Sequence, residues 1–226
     1  MTEKEKILAR IREALTVPCS PPNSTHDTPP SPLDTQHSAR AWLPLVGESF
    51  DSRSALFQKN SADLKSTFHL IKDRDELAKA LLNLRDTEVW KKIGTHPGEL
   101  TDQAGRVLNL PICRTDQPYD VNELESCDAG ITECDALIAQ TGTILLTARS
   151  AGGRALSVLP PHHVVLARRD QLVPDLPEAF ALLKKKYAPN YPSFISLITG
   201  PSRTGDIERI LVLGAHGPKK LTVFLV

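Results

Sequence analysis

The chain has 226 residues, 40 per cent of them hydrophobic and 24 per cent charged, ordinary globular usage with enough apolar side chain for one α/β domain and an N-terminal extension. Lysine plus arginine balances aspartate plus glutamate at 27 each, so no global field steers it onto phosphate backbones or anionic membranes, and nucleic-acid binding is not expected. No apolar run approaches the ~18 residues of a membrane span, and the N-terminus alternates acidic and basic residues where a signal peptide needs an apolar stretch, which points to a cytoplasmic protein.

Thr2 followed by Glu5 forms a capping box, and Ile7, Leu8, Ile11 and Leu15 recur on one helical face, predicting a first helix of about four turns. From Val17 to Ser38 the chain is rich in Pro, Ser, Thr and Asn, with Pro21-Pro22 and Pro29-Pro30 blocking helix and ladder alike. Residues 1–42 therefore read as a helix plus a proline-rich linker, and residues 43–226 as the folded domain.

Phe50, Leu56, Phe57 and Leu64 predict a helix with one inward stripe, followed by a strand over Phe68 to Ile71. Asp73 with Glu76 caps a second helix through Leu77, Ala80, Leu81 and Leu84, and a weaker strand is expected from Val89 to Ile93. Such alternation argues for a mainly parallel sheet with covering helices. Beyond Asp120, strands are expected over Thr143–Thr147, Val164–Ala167, Phe194–Thr199, Ile210–Leu213 and Leu221–Val226. One helix begins near Pro177 and ends at Lys184-Lys185-Lys186, where cations complement the helix dipole.

The cysteines, Cys19, Cys113, Cys127 and Cys134, are irregularly spaced, with no pair separated by two residues. They read as reduced thiols rather than ligands of a metal or cluster. No glycine-rich dinucleotide fingerprint follows any expected strand.

Gly200-Pro201-Ser202-Arg203-Thr204-Gly205-Asp206-Ile207-Glu208 carries the densest chemistry. Its glycines, hydroxyls and one guanidinium suit a carboxylate or phosphate, with Arg203 as the main charge partner. Alternatively the stretch is a rigid turn in which Ser202 and Thr204 bond the backbone and Arg203 pairs with Asp206 or Glu208. Gln140-Thr141-Gly142-Thr143 offers hydroxyls at a strand end, or is a tight turn between two extended segments. Gly152-Gly153-Arg154 and His162-His163 form a third polar cluster. Adjacent histidines on extended backbone face opposite ways, which disfavours one shared metal and favours structural histidines. His216 lies in the late reversal Gly214-Ala215-His216-Gly217-Pro218, either as a site or as a turn residue.

In order, Gly130-Ile131-Thr132, Ala136, Thr141-Gly142-Thr143, Leu159-Pro160-Pro161-His162, Gly200-Pro201-Ser202-Arg203-Thr204, Asp206-Ile207-Glu208, Leu213-Gly214 and His216-Gly217-Pro218 resemble successive signatures of the lactate-utilisation (LUD) domain family, over roughly Leu43 to Val226. The resemblance implies an open, mainly parallel α/β sheet with flanking helices, like that of ribose-5-phosphate isomerase, glucosamine-6-phosphate deaminase and coenzyme A transferase. It implies membership of a three-protein system oxidising L-lactate to pyruvate, whose other subunits carry the iron–sulfur clusters. The absence of a cluster motif here matches the small subunit, with no cofactor of its own. At position 140 the family usually shows glutamate; Gln140 keeps the size and hydrogen bonding but cannot take up a proton or act as a carboxylate nucleophile.

Two functions follow. The first is a subunit without a redox group that binds a small anion or a partner subunit, with Thr141, Gly142, Thr143, Ser202, Arg203, Thr204, Asp206, Glu208 and His216 as the expected ligand-binding residues and no metal site. The second is a free-standing isomerase or transferase acting on a phosphosugar or acyl thioester, for which Glu133, Asp135, Asp206 and Glu208 are the candidate carboxylates. A scaffold without a ligand is the remaining alternative.

Overall fold

The computed structural model describes residues 43–204, 212–213 and 216–226. The helix and linker expected over residues 1–42 lie outside the described residues. Helix α1 (Phe50–Asp63) starts at Ser49, whose side chain accepts from the Ser52 N–H, and turns Phe57 fully inward against Phe68, ring centres 5.2 Å apart. Strand β1 spans Thr67–Leu70, and helix α2 Arg74–Glu88. Asp73 caps α2 through a 2.8 Å bond from the Glu76 N–H, while the Glu76 carboxylate accepts from the Lys72 N–H rather than from the cap residue itself. Leu77 and Leu81 are fully buried, as their spacing requires.

The strand expected to start at Val89 starts later. Asp86, Thr87 and Glu88 continue the helix, and Val89 closes it in the left-handed region with φ 55°, so β2 spans only Ile93–Thr95. Between Gly98 and Asp135 come helix α3 (Glu99–Leu108), β3 (Ile112–Arg114), helix α4 (Val121–Glu125) and β4 (Ala129–Glu133). A hairpin of β5 (Ala136–Ile138) and β6 (Thr143–Thr147) follows, then β7 (His162–Ala167), β8 (Leu172–Val173), helix α5 (Leu176–Tyr187), β9 (Ile195–Ile198), β10 (Arg203–Thr204), β11 (Val212–Leu213) and β12 (Lys220–Leu225).

Six strands form one sheet in the order β1-β12-β7-β4-β2-β3, every pairing parallel. Parallel strands covered on both faces need continuous apolar runs, and β7 is buried at every position. On one face Leu77, Leu81, Leu100, Ala104 and Leu108 of α2 and α3 pack on Ile131, Val164, Leu166 and Phe224. On the other, Val165, Ala167, Leu221 and Val223 meet Phe57 of α1 and the inner face of a second sheet, ordered β8-β5-β6-β9. That sheet is mixed: β5–β6 and β6–β9 are antiparallel and β5–β8 is parallel. Its outer face is covered by α5 through Ala179, Leu183 and Tyr187. Thr141-Gly142 is thus the reversal between two extended segments, with Gly142 at φ 63° and the Asn60 side chain of α1 so close that a Cβ would lie 2.9 Å from its Cβ. No helix among the described residues is long and apolar enough to cross a membrane.

Candidate functional site

Segments far apart in sequence meet around a cavity of about 210 Å³ at the N-terminal ends of β7 and β12. The placement starts at Gly130 of β4. A Cβ there would sit 2.3 Å from the Leu156 carbonyl oxygen, so only glycine lets the 3₁₀ turn Ala155–Ser157 lie on the strand and bring Arg154 and Ser157 to the cavity. Pro161 accepts from the Lys219 and Lys220 N–H groups, and Pro218 accepts from the Ser202 N–H at 2.9 Å. These bonds hold the 200–202 loop and the 216–218 bend beside the start of β7. Ser196 and Ile198 of β9, with Phe194, complete the wall.

His163 belongs to that wall and is 1% exposed. Its Nε2 is 2.9 Å from Thr132 Oγ1, while its Nδ1 has no partner in the protein. Burial, with His162 beside it, pushes its pKa down to about 3, so the ring is neutral at physiological pH. His162 faces the other way, edge-on to Trp90 at 5.3 Å and 2.9 Å from Thr222 Oγ1. Arg154 is exposed, its guanidinium carbon 5.9 Å from the Phe194 ring centre. A cation, hydroxyls of Ser157, Ser196 and Ser202, a neutral imidazole and apolar walls suit a small organic anion: the charge goes to the guanidinium and the carbon skeleton to Phe194, Ile198 and Leu221.

Of the residues expected from sequence to bind a ligand, Ser202 and His216 line this cavity. Thr141 and Thr143 stand next to it in the fold but are not part of its wall. Thr141 Oγ1 donates to Thr143 Oγ1, which lies 2.8 Å from Thr199 Oγ1, so the hairpin turn and the 200–204 segment are neighbours. Arg203 Nη2 donates to the Leu64 carbonyl at the end of α1, at 2.6 Å. Thr204 pairs with Val212 through its backbone, and Asp206 and Glu208 lie outside the described residues. Gln140 donates through Nε2 to the Pro44 carbonyl at 3.0 Å, a bond an ionised glutamate could not make. Arg154 and His163 stand in the third polar cluster of the sequence, where the histidine reads as structural and Arg154 carries no expected role. Ser157 and Ser196 carried no sequence signal beyond being hydroxyls in or near apolar runs.

A second polar cluster sits at the opposite end of the large sheet. The connection from β2 leads to β3 and that from β4 leads the other way to β7, so the C-terminal ends of β2 and β4 flank the topological switch point where open α/β sheets commonly bind ligands. His96 and Glu133 stand there. The Glu133 N–H donates to His96 Nε2 at 3.1 Å, which leaves the ring proton on Nδ1, donated to Pro97 O at 2.8 Å. Glu133 Oε1 accepts from the Leu100 N–H at the start of α3, and Oε2 lies 3.3 Å from Arg168 Nη1. Both nitrogens of His96 and both oxygens of Glu133 are therefore occupied by the protein itself. Beside them a shallow hollow of about 410 Å³ includes Arg114, which is already paired with Asp102 and Asp116.

Asp135 is engaged through one of its oxygens. Its fully buried carboxylate accepts through Oδ1 from Lys186 Nζ and Tyr187 OH, both at 2.6 Å, so one lysine of the basic run at the end of α5 has an internal partner. Among the described residues, no group of three or more His, Cys, Asp or Glu side chains is placed to hold a metal ion.

Comparison with known proteins agrees with this architecture. "Lactate utilization protein C" of Bacillus licheniformis is 32% identical over 142 residues, 62% of this chain and 54% of that protein. The proteins of the same name from Deinococcus radiodurans and Macrococcus caseolyticus are 35% and 38% identical over 53% and 58% of this chain, and 56% and 53% of their own lengths. The matched stretch thus spans about half the length of these relatives. The crystal structure of a DUF162 family protein from Deinococcus radiodurans superposes with a TM-score of 0.63 at 24% identity, over 81% of this chain and 99% of that one, a likeness of fold. Residues 55–226 match the LUD domain, and the chain belongs to the LUD domain family.

Proposed function

We propose that the chain serves lactate utilisation as the subunit without a redox group in an L-lactate-oxidising complex. It binds a small carboxylate, L-lactate or pyruvate, in the His163 cavity, while iron–sulfur clusters on partner subunits take up the electrons. The observation that carries this reading is the convergence of Gly200-Pro201-Ser202 and His216-Gly217-Pro218, with Arg154 and Ser157, around one cavity, a convergence that Gly130 and Pro161 hold in place. The names of the relatives support the process.

The three cysteines among the described residues favour placing the clusters elsewhere. Cluster ligands are thiolates, and burial pushes the Cys127 thiol up to about 11 and the Cys113 and Cys134 thiols above their ordinary value. Cys113 and Cys127 pack with Leu124 and Leu156, whereas Cys134 lies in a different part of the core. Of the four candidate carboxylates for a free-standing isomerase or transferase, Glu133 and Asp135 accept from protein donors and are not in the cavity lining, and Asp206 and Glu208 lie outside the described residues.

A strain lacking the gene should grow on glucose and fail on L-lactate, and the full chain should restore growth. Purified under anaerobic conditions, the chain should contain neither stoichiometric iron nor acid-labile sulfide. Normal growth of the deletion strain on L-lactate, or a cluster in the purified chain, would overturn the proposal.

A further inference from the structure

We infer that the open edge of β9 is a docking site for an extended, acidic segment of a partner protein, which adds to the second sheet as a further strand. The inference rests on the complex membership proposed above and assigns to it a surface of this chain, on the side of β9 turned away from the cavity.

Strand β9 ends the second sheet, ordered β8-β5-β6-β9. Its register sets Thr147 opposite Ile195 and Leu145 opposite Leu197, and the Ala148 N–H donates to the Phe194 carbonyl. Pairing alternates along an antiparallel ladder, so Phe194, Ser196 and Ile198 turn their N–H and C=O groups to β6, while Ile195 and Leu197 turn theirs outward. Side chains alternate as well: Phe194, Ser196 and Ile198 line the cavity, and Ile195 and Leu197 are 41% and 42% exposed on the other face. An open edge is ordinarily blunted by a charge, a proline or extreme shortness. β8, at the opposite edge, is two residues long. β9 has neither a charge nor a proline, and no residue from Asn190 to Ser202 is charged, so this edge is left ready to pair.

The surroundings of the strand select the occupant. Although the chain as a whole is neutral, no acidic residue occurs from Ala136 to Arg169 or from Ala179 to Gly205, stretches that include β5, β6, β9 and most of α5. Arg149 is exposed at the entry to β9, its guanidinium carbon 5.5 Å from the Tyr187 ring centre and its Nη2 donating to the Asn190 carbonyl at 3.4 Å. Tyr187 in turn touches Thr147, the residue paired with Ile195, so the exposed Lys184 and Lys185 in the last turn of α5 belong to the same end of the strand. An incoming strand with carboxylates near this end meets complementary charge, its backbone completes the bonds of Ile195 and Leu197, and its alternate apolar side chains cover theirs. A second copy would set like charge against like, and an anionic lipid surface has no strand backbone to complete the edge.

The test co-expresses the full chain, tagged, with the iron–sulfur subunits of the complex and purifies it under anaerobic conditions. The subunits should be retained on the tag. Leu197→Lys and Arg149→Glu, with folding checked by circular dichroism, should each lower retention about tenfold or more, whereas reversing the exposed Lys79 of α2, Lys79→Glu, should leave it unchanged. In the retained complex, hydrogen–deuterium exchange over residues 191–199 should slow about tenfold or more relative to the free chain. No retention by the unaltered chain overturns complex membership and this inference with it. Retention that survives either substitution, or that Lys79→Glu lowers as much, leaves complex membership standing and overturns the inference, as does unchanged exchange over 191–199 in a retained complex. Slowed exchange in a self-associated chain without the subunits gives the edge to a second copy and overturns the choice of an acidic partner. If a variant does not fold, exchange in the unaltered complex decides alone.

Discussion

Asp135→Ala is expected to lower the free energy of unfolding by about 3 kcal/mol, the range found when one partner of a buried, hydrogen-bonded ion pair is removed. The Asp135 side chain is fully buried, and its Oδ1 takes two 2.6 Å bonds, from Lys186 Nζ and from Tyr187 OH. Lys186 is about half exposed and can turn to water. Tyr187 cannot, and would keep only its 3.2 Å contact with Thr147. The pH dependence has a definite sign. Burial pushes the Asp135 carboxyl up, but the hydrogen bonds from Lys186 and Tyr187 outweigh it, and the net shift is downward. A carboxylate lowered on folding contributes stability that is fully present above its unfolded value of about 3.9 and is lost as pH falls through the folded value. Urea midpoints measured from about pH 5 down through about pH 2 should therefore fall more steeply for the wild type than for Asp135→Asn. Parallel curves for the two would mean that the carboxylate carries no such load.

Arg154→Ala is expected to weaken pyruvate binding by roughly 10- to 100-fold, the loss typical of a charge-assisted contact to a carboxylate in a partly enclosed site, and to abolish growth on L-lactate. Because Arg154 is exposed and its contact with Phe194 is loose, stability should change by no more than about 0.5 kcal/mol. Arg154→Lys keeps the charge but not the two-pronged geometry, and should recover only part of the affinity. Arg203 gives the contrasting case. Its guanidinium donates to the Leu64 carbonyl at the end of α1, where a cation also complements the helix dipole, so Arg203→Ala should cost about 1–2 kcal/mol of stability before any effect on ligand. Wild-type pyruvate affinity in Arg154→Ala would mean that the cavity's cation does not hold the carboxylate.

Much of the chain was legible because local and tertiary preferences agree. Asp73 with Glu76 announced the start of α2, and Leu77 and Leu81 its buried stripe. Pro177 marked the first turn of α5, and the β-branched runs after Thr143 became β6, β7, β9 and β12. The stretch from Gly98 to Ala129 was silent for physical reasons. Helix α3 begins at a glycine with no side-chain cap and contains Gly105, and β3 is three residues long, so neither capping nor β-branching marks them. Val89 was misleading, since a β-branched residue there closes a helix in the left-handed region instead of opening a strand.

The site was legible as separate motifs but not as a cavity. Which hydroxyls share a wall depends on the pairing of β6 with β9 and of β7 with β12, registers that no local pattern encodes. Arg203 stood out as the cation of its loop, yet the close packing of α1 against that loop turns at least one of its nitrogens to a helix end. Arg154, in an unremarkable glycine-rich bend, reaches the cavity only because Gly130 lets the chain cross β4 at close range.

The most direct test is a crystal structure of the chain grown with pyruvate. The ligand should lie in the cavity beside Ser202, with its carboxylate in reach of Arg154. Pyruvate bound instead at the C-terminal ends of β2 and β4, with His96 or Glu133 displaced from its present partners, would contradict it.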